Sequence, residues 1–254
     1  MKTTFFAILF ILVTVSNSFA QTDPKATEVW SPEPKIVTPG QTPADAPSDA
    51  IILFNGKNLD EWANAKDKTK PALWTVSNNV ITVKKGTGDI ETKRMFTDYQ
   101  LHIEWRIPEN ITGENQARGN SGIFLASTEG GESGYEIQVL DCYNNKTYVN
   151  GQTASIYKQA IPLANACKKP GEWQVYDIIW TAPRFNEDGT LKSPARVTAI
   201  HNGVLVQNNV EVKGTTQYIG QPVYKKHGPA GIRLQDHGDP SAAISYRNIW
   251  VREL

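Results

Sequence analysis

Residues 99–107 read Tyr-Gln-Leu-His-Ile-Glu-Trp-Arg-Ile, so apolar and polar side chains alternate without a break. A period of two is typical of a β-strand with one apolar and one polar face. Similar segments recur at residues 121–125, 135–140, 173–180, 231–235 and 244–252. No segment has the three-to-four-residue spacing of an amphipathic helix. We therefore expect an all-β fold in which the strands form an antiparallel sandwich or jelly roll.

Two short polar stretches between apolar runs predict β-hairpins. Ser77-Asn78-Asn79 separates residues 74–76 from residues 80–83. Asn202-Gly203 separates two runs rich in valine, and Asn-Gly favours the type I′ turn that joins two antiparallel strands.

The first twenty residues have the composition of a secretory signal peptide. Lys2 precedes an apolar run at residues 5–15, and Ser18-Phe19-Ala20 fits the small-x-small rule for cleavage after Ala20. The apolar run is shorter than the roughly 20 residues that a membrane-spanning helix needs. We expect export to the bacterial periplasm or beyond, with no insertion in the membrane.

Residues 21–49 contain six prolines, which exclude a helix or a central strand. We expect an extended arm here, either attached to the domain surface through Trp30 and Val37 or acting as a flexible spacer. Residues 50–254 then form a single jelly-roll sandwich domain, a length that suits one large β domain.

The charge balance argues against nucleic acid as a partner. The 26 basic and 26 acidic residues cancel, and removal of Lys2 with the signal peptide leaves a formal net charge of −1. Such a chain has no electrostatic attraction to nucleic acid or to an anionic membrane, and it suits neutral polar ligands such as sugars.

The chain has two cysteines, Cys142 and Cys167. In an oxidising compartment a disulfide between them would close a loop of about 26 residues and stabilise the fold by roughly 3–4 kcal/mol. Otherwise they are two separate thiols that pack as small apolar groups. No C-x-x-C motif supports a zinc or redox site.

The segment Glu136-Ile137-Gln138-Val139-Leu140-Asp141 carries the first group of candidate site residues. Its carboxylates resemble the E-x-D-x-x-E strand of laminarinase- and lichenase-type glycoside hydrolases. In a regular strand Glu136 and Asp141 point to opposite faces, roughly 16 Å apart, whereas retaining glycosidases need carboxyls about 5–5.5 Å apart. Only a β-bulge would bring them to one face. Alternatively, Glu136 and Gln138 bind a ligand while Asp141 caps a loop.

A second group lies in Arg233-Leu234-Gln235-Asp236-His237 and continues to Asp239. Arg233, Gln235 and His237 share one face of the predicted strand, opposite Ile232 and Leu234. Histidine is the usual acid–base residue near neutral pH. Alternatively, the two aspartates only stabilise a turn.

A third group, Arg118-Gly119-Asn120-Ser121-Gly122, has glycines that allow either a ligand or a neighbouring strand to approach closely. The aromatic residues Tyr135, Tyr157 and Trp173 could stack on sugar rings, although packing in the core explains Trp173 at least as well.

Seven motifs in order resemble one known family. They are ILFNGKNLDEW at 52–62, GNSGIFL at 119–125, YEIQVLD at 135–141, SIYKQAIPLANACKKPGEWQVYDIIW at 155–180, NGVLV at 202–206, GIRLQDHGDP at 231–240 and ISYRNIWVREL at 244–254. The resemblance is to the 3-keto-disaccharide hydrolase domain family of bacterial secreted proteins, over residues 50–254. It implies a concanavalin A-like, glucanase-like jelly roll that acts on glycosides oxidised to a ketone at C3.

That substrate class explains a site without paired carboxylates. A C3 ketone acidifies the C2 hydrogen, so one base and one enolate stabiliser can eliminate the C1 substituent, after which water adds. Glu136 or His237 would be the base and Arg233 the stabiliser. The residues expected to bind substrate are Arg118, Asn120, Gln138, Asp141, Tyr157, Gln235 and Asp236.

Other expectations stay open at this stage. No ligand spacing in the sequence demands a cofactor, although a divalent cation held by carboxylate and histidine would stabilise the same enolate. A conventional endo-β-glucanase that uses Glu136 and Asp141 is one alternative, and a carbohydrate-binding module without activity is another.

Overall fold

A computed structural model of the chain describes residues 23–254, so the predicted signal peptide lies outside the described residues. Within residues 23–254 the chain forms fifteen strands and four short 3-10 helices. The strands are β1 (Ile51–Phe54), β2 (Trp62–Asn64), β3 (Thr75–Ser77), β4 (Val80–Thr82), β5 (Ile90–Thr92), β6 (Tyr99–Arg106), β7 (Ser121–Thr128), β8 (Ser133–Val139), β9 (Gln174–Thr181), β10 (Arg184–Phe185), β11 (Leu191–Ser193), β12 (Arg196–His201), β13 (Val204–Glu211), β14 (Gly231–Leu234) and β15 (Ser245–Glu253). The 3-10 helices are Pro24–Thr27, Asn115–Ala117, Glu129–Gly131 and Val149–Gly151. None of these helices is long and apolar enough to cross a membrane.

The strands form two large antiparallel sheets and one small one. The eight-stranded sheet has the order β13-β12-β9-β6-β15-β4-β3, with β1 also paired to β15. The five-stranded sheet has the order β2-β5-β14-β7-β8, and β10 pairs with β11 apart from both. The expected all-β class and antiparallel jelly-roll sandwich are therefore confirmed.

The core is formed by the apolar faces that the alternation predicted. On β6, Tyr99, Leu101, Ile103 and Trp105 are fully buried. On the five-stranded sheet, apolar side chains of β8 and β14 join the same core cluster. Because neighbouring side chains of a strand point to opposite faces, the residues between them on β8 and β14 must face away from this core.

The middle of the polar face of β6, at His102 and Glu104, is also buried, whereas the polar residues at its two ends are partly exposed. His102 is 1% exposed; its Nδ1 lies 2.7 Å from Asp177 Oδ1, and its ring stacks on Trp250 with centroids 5.1 Å apart. Burial alone would lower the pKa of His102, but hydrogen bonds to Asp177 and Glu104 outweigh it and raise the pKa to about 9. Alternation therefore predicted correctly which side chains of β6 share a face. It did not predict that the middle of the polar face would be buried as well as the apolar face.

Part of the proline-rich segment covers that face. The compact unit runs from Val37 to Leu254, and residues 37–49 lie within it. The Ala44 carbonyl accepts hydrogen bonds from Asn248 Nδ2 at 2.8 Å and Trp250 Nε1 at 3.1 Å, and the Arg252 guanidinium binds Asp49. Residues 23–36 belong to a separate unit, in which Trp30 is 82% exposed.

The two predicted hairpins are present. Asn78 and Asn79 connect β3 to β4 with φ angles of 51° and 61°. Asn202 and Gly203 connect β12 to β13 with φ angles of 52° and 82°. Two successive left-handed residues are what a type I′ turn requires, so asparagine and glycine at these positions determine both turns.

Candidate active site

A cleft of about 280 Å³ lies on the face of the five-stranded sheet that points away from the core. Strand β8 presents Glu136 and Gln138 to this face because Tyr135, Ile137 and Val139 fill the core side. The cleft is lined by Asn120, Phe124, Glu132, Ser133, Glu136, Gln138, Tyr157, Thr216, Tyr218, Arg233, Gln235 and His237. It is therefore polar, with aromatic side chains in its walls.

Glu136 lies on β8 beside β7, and a glycine of β7 makes room for its carboxyl group. A Cβ atom added to Gly122 would overlap Glu136 Oε1. The side chain is nevertheless buried, with Glu136 only 5% exposed. Among residues 23–254 no group donates a hydrogen bond to its carboxylate, so any partner must come from a ligand or from solvent.

The burial of Glu136 determines how it titrates. Burial raises the pKa of Glu136 to about 8, with Arg233 lowering it and Asp89 raising it further. A general base works best when its pKa lies near the operating pH. The ionised carboxylate of Glu136 is therefore a much stronger base than an ordinary glutamate.

Arg233 enters the cleft from β14 and is fixed from several sides. Its Nη1 forms an ion pair with Asp89, its Nη2 donates to the Ser133 carbonyl at 3.3 Å, and its guanidinium lies 3.5 Å from the Phe124 ring centroid. The N–H group at Nε is buried and has no partner in the described chain. Arg233 thus presents a positioned cation, with a free donor at Nε, to the cleft that Glu136 also lines.

Other buried polar atoms of the cleft also have no partner among the described residues. They are Gln138 Oε1, Gln235 Oε1 and Ser133 Oγ. Buried polar groups in folded proteins are nearly always paired, because an unpaired one costs about 1–3 kcal/mol. Unpaired donors and acceptors that converge on one cleft indicate that a ligand with several hydroxyl or carbonyl groups completes them.

His237 lies at the rim, just after β14, with its side chain 35% exposed. Its Nδ1 is 3.0 Å from Asp239 Oδ2, and Lys85 Nζ donates to the carbonyls of His237 at 2.9 Å and Asp239 at 3.1 Å. Burial raises the pKa of Asp239, but hydrogen bonds from His237 and Ser241 outweigh it and hold that pKa well below its usual range. An ionised aspartate thus orients the imidazole, which leaves Nε2 for a ligand.

The aromatic wall of the cleft is attached to the outer edge of β8. Tyr157 N donates to the Glu136 carbonyl at 3.1 Å, and Ile137 forms an isolated bridge with Ile156. The loop between β13 and β14 reaches the same edge, where Thr216 Oγ1 accepts from Glu136 N at 3.0 Å. These contacts place Tyr157 and Tyr218 beside the strand that carries Glu136.

The structure brings most of the expected site residues together. Glu136, Arg233 and His237 line the cleft with Asn120, Gln138, Tyr157 and Gln235. Gln138 Nε2 donates to Asn120 Oδ1 at 2.9 Å, so these two amides support each other. The shared cleft satisfies the geometric requirement for the predicted roles, which themselves stay predictions.

Three expected substrate-binding residues do not line the cleft. Arg118 Nε pairs with Asp141 Oδ2 at 2.7 Å, and Asp141 is buried beyond the end of β8. Asp236 Oδ2 accepts the Gly88 N–H at 3.0 Å and lines a neighbouring hollow instead. The register shift between β7 and β8 lies between Phe124 and Ser127, away from Asp141, so no bulge there brings Asp141 to the face of Glu136.

Two of the three candidate stacking residues also lie elsewhere. Tyr135 is 1% exposed and packs in the core against Trp180. Trp173 is covered by the guanidinium groups of Arg106 and Arg247, at 4.6 Å and 4.1 Å from the centroid of its ring system. Only Tyr157 of the three reaches the cleft.

Several residues of the site were not predicted from the sequence. They are Asp89, Phe124, Glu132, Ser133, Thr216 and Tyr218. Phe124 lies in a segment whose alternation puts it on the same face as Glu136 and Arg233, so that signal was available. Ser133 is three residues before Glu136, so alternation alone would place it on the opposite face, and the register shift between β7 and β8 intervenes. Asp89 just before the short strand β5, and the two loop residues Thr216 and Tyr218, carried no periodic signal.

The two cysteines are close to one another. In the structure both are thiols, Cys142 is buried, and a hydrogen bond with Cys167 lowers the pKa of Cys142. The disulfide stays a prediction. Within residues 23–254 no group of three or more His, Cys, Asp or Glu side chains is placed to hold a metal ion.

Comparisons with known proteins also indicate a protein that acts on glycosides. Residues 49–252 match the family model of the 3-keto-alpha-glucoside-1,2-lyase-like domain. A crystal structure of a candidate glycosyl hydrolase from Parabacteroides distasonis ATCC 8503 is 57% identical with a TM-score of 0.85, covering 91% of this chain and 97% of that one. A second candidate glycosyl hydrolase from that organism is 21% identical with a TM-score of 0.57, covering 81% of this chain and 94% of that one, a likeness of fold alone. No curated protein matches the chain.

Proposed function

The chain belongs to the 3-keto-alpha-glucoside-1,2-lyase-like domain family, and on that premise we propose that it cleaves 3-keto-glycosides, including 3-keto-disaccharides, by elimination across C1 and C2. The 57% identity to a candidate glycosyl hydrolase supports an enzyme that acts on glycosides. The observation that carries the finer proposal is that one cleft contains both a buried carboxyl without a hydrogen-bond donor, Glu136, and a fixed guanidinium, Arg233.

Glu136 is the residue that we assign as the base. Its carboxylate lacks any hydrogen-bond donor among the described residues, and burial raises its pKa to about 8. His237 is held by Asp239 at the more exposed rim of the cleft, which makes it the weaker candidate. In the first step the ionised Glu136 takes the proton from C2, and the electrons of that C–H bond form the enolate of the C3 ketone.

Arg233 stabilises that enolate. Its Nε–H has no partner in the described chain, and its other contacts with Asp89, Ser133 and Phe124 hold it in place before the reaction begins. A donor aimed at an oxygen that becomes negative contributes mostly in the transition state, and removal of one such donor typically costs about 10²–10³-fold in rate.

The glycosidic bond breaks in the second step. The enolate electrons return to form the C3 ketone, a double bond forms between C1 and C2, and the leaving oxygen departs from C1 and takes a proton. His237, oriented by Asp239 at the rim, supplies that proton in our assignment. Water then adds across the double bond: its oxygen bonds to C1, and the proton that it loses restores His237. Glu136 protonates C2 after exchanging its proton with solvent, so both residues return to their starting states and the net reaction is hydrolysis.

The remaining polar groups bind the sugar hydroxyls. Gln138, Gln235 and Ser133 each present a buried polar atom that lacks a partner in the described chain. Amide and hydroxyl groups both match sugar hydroxyls, which donate and accept hydrogen bonds. A conventional glucanase with Glu136 and Asp141 is not supported, because Asp141 pairs with Arg118 away from the cleft.

We further propose that the protein works outside the cytoplasm after cleavage at Ala20. Export stays a prediction from the composition of residues 1–20. N-terminal sequencing of the protein recovered from a periplasmic fraction would test it, with Gln21 expected as the first residue.

The experiment for the catalytic proposal compares a 3-keto-glucoside with its unoxidised parent. The wild-type enzyme should release the leaving group from the ketone only, because only the ketone makes C2 acidic. Glu136→Gln should lower kcat by at least about 10²-fold. Equal cleavage of both glucosides would overturn the elimination mechanism.

A further inference from the structure

A second hollow adjoins the cleft on its aromatic side. Its volume is about 530 Å³, and it shares Tyr157 and Tyr218 with the cleft. Tyr148 and Lys158 also line it, together with amide side chains such as Asn150 and Gln221. A ligand that fills the cleft can therefore extend past these two tyrosines without leaving the protein surface.

Tyr218 is unusual because its ring is exposed and yet held in place. It is 74% exposed. Lys158 Nζ donates to the Tyr218 carbonyl at 2.6 Å and lies 4.3 Å from the centroid of its ring. Thr216, two residues earlier, is bonded to β8 through Gly134 O at 2.7 Å and Glu136 N at 3.0 Å. An exposed aromatic face fixed in this way forms a preorganised surface on which a ring can stack.

Tyr157 forms the boundary between the two spaces. Its hydroxyl group lies 2.5 Å from that of Tyr148, and its backbone N–H donates to the Glu136 carbonyl at 3.1 Å. The second hollow therefore begins next to the residue that we assign as the base. A group attached to C1 of a sugar in the cleft could therefore extend past Tyr157 into the second hollow.

We propose that the second hollow binds the leaving group of the substrate and that it takes a neutral ring carrying hydroxyl groups, such as a second sugar. The aromatic rings suit the apolar face of such a ring, and the amide side chains suit its hydroxyls. The lysine is already engaged with Tyr218, and no Asp or Glu side chain of the described chain lines the hollow. The inference rests on the proposed function, because it names the second half of the same substrate.

The test uses two 3-keto-glucosides that differ only in the leaving group, methanol in one and glucose in the other. The quantity measured is the ratio of kcat/KM for the disaccharide to kcat/KM for the methyl glucoside. Stacking between two aromatic rings contributes about 0.5–1.5 kcal/mol beyond area burial, and we take the same range for a sugar ring on Tyr218. We therefore expect Tyr218→Ala to lower the ratio by about 2- to 13-fold, mainly through the KM of the disaccharide.

Ile219→Ala is the matched control, since Ile219 is 83% exposed on the same loop and lines neither space. It should leave the ratio unchanged. Lys158→Met keeps the Tyr218 ring but removes its anchor, and should lower the ratio as well.

Different results would overturn the leaving-group site and the proposed function. If the wild-type enzyme cleaves both oxidised substrates while Tyr218→Ala and Lys158→Met leave the ratio unchanged, the leaving-group site is wrong and the proposed function stands. If the wild-type enzyme cleaves neither oxidised substrate, the proposed function is wrong and this inference falls with it.

Discussion

Replacing Glu136 by glutamine should stabilise the protein while it removes activity. A buried carboxyl group that lacks a hydrogen-bond donor pays the cost of desolvation whenever it is ionised. Glutamine has nearly the same size, and Gly122 already leaves the space that the side chain occupies. The substitution therefore removes the charge without creating a cavity.

The magnitude follows from the shift of the Glu136 pKa from 4.5 to about 8. A carboxyl group whose pKa is raised in the folded state destabilises the fold above its unfolded pKa, by about 1.4 kcal/mol per pH unit until the folded pKa is reached. At pH 7 the expected gain of Glu136→Gln in the free energy of unfolding is on the order of 3 kcal/mol. Below pH 4.5 the charge of Glu136 contributes nothing to the difference in unfolding free energy between the variant and wild type. The stability gained by the variant is largest above pH 8.

Urea unfolding of both proteins at pH 4.5, 7 and 8.5 measures this difference. Glu91→Gln is the matched control, because Glu91 is also buried, at 2% exposed, and also lies over a glycine, Gly231. Unlike Glu136, it is paired, with Lys68 and with Ser127 Oγ at 2.7 Å. Glu91→Gln should therefore destabilise the protein. A Glu136→Gln variant that is less stable than wild type at pH 7, or equally stable at every pH, would refute the reasoning.

Other predictions concern catalysis and stability elsewhere. Arg233→Lys keeps the charge but loses the forked donor, so steady-state kinetics should show kcat reduced by about 10²–10³-fold and KM changed less; a larger effect on KM would contradict its role. With Glu136 as the base of a rate-limiting proton abstraction, which precedes the proton transfer from His237, kcat/KM should rise about tenfold per pH unit up to roughly pH 8, whereas a decline over that range would indicate an acid instead. His102 has a folded pKa of about 9 against an ordinary 6.5, so its stabilisation is complete below pH 6.5 and is lost as the pH rises to 9. Urea midpoints should fall over that window in wild type and fall less in His102→Gln. Thiol titration of the exported protein under denaturing, non-reducing conditions should find Cys142 and Cys167 bridged, and two titratable thiols would count against the disulfide.

Much of the fold and about half of the site were predictable because strand alternation is a strong signal. Glu136 and Gln138 are two residues apart on β8, and Gln235 comes two residues after Arg233, directly beyond the end of β14, so each pair is expected on one face once the core face is known. Asparagine and glycine in the turns predicted the hairpins for an equally local reason.

The remainder depends on contacts that no local pattern encodes. Asp141 follows β8, and its position is set by the buried pair with Arg118 rather than by alternation. Tyr218 belongs to a loop that returns to β8 from a position some eighty residues later in the chain, through a hydrogen bond of Thr216 with Glu136. Asp89, which fixes Arg233, comes just before the three-residue strand β5, which is too short to show a period.

The central claim is that the C2–H bond breaks when the glycosidic bond is cleaved. The most direct measurement compares a 3-keto-glucoside that carries deuterium at C2 with its protium counterpart, in ordinary water and at early times, with the free product incubated alone as the control for spontaneous exchange. Our account predicts slower release of the leaving group from the deuterated substrate and loss of deuterium from C2 of the product. Equal rates together with full retention of deuterium at C2 would contradict it.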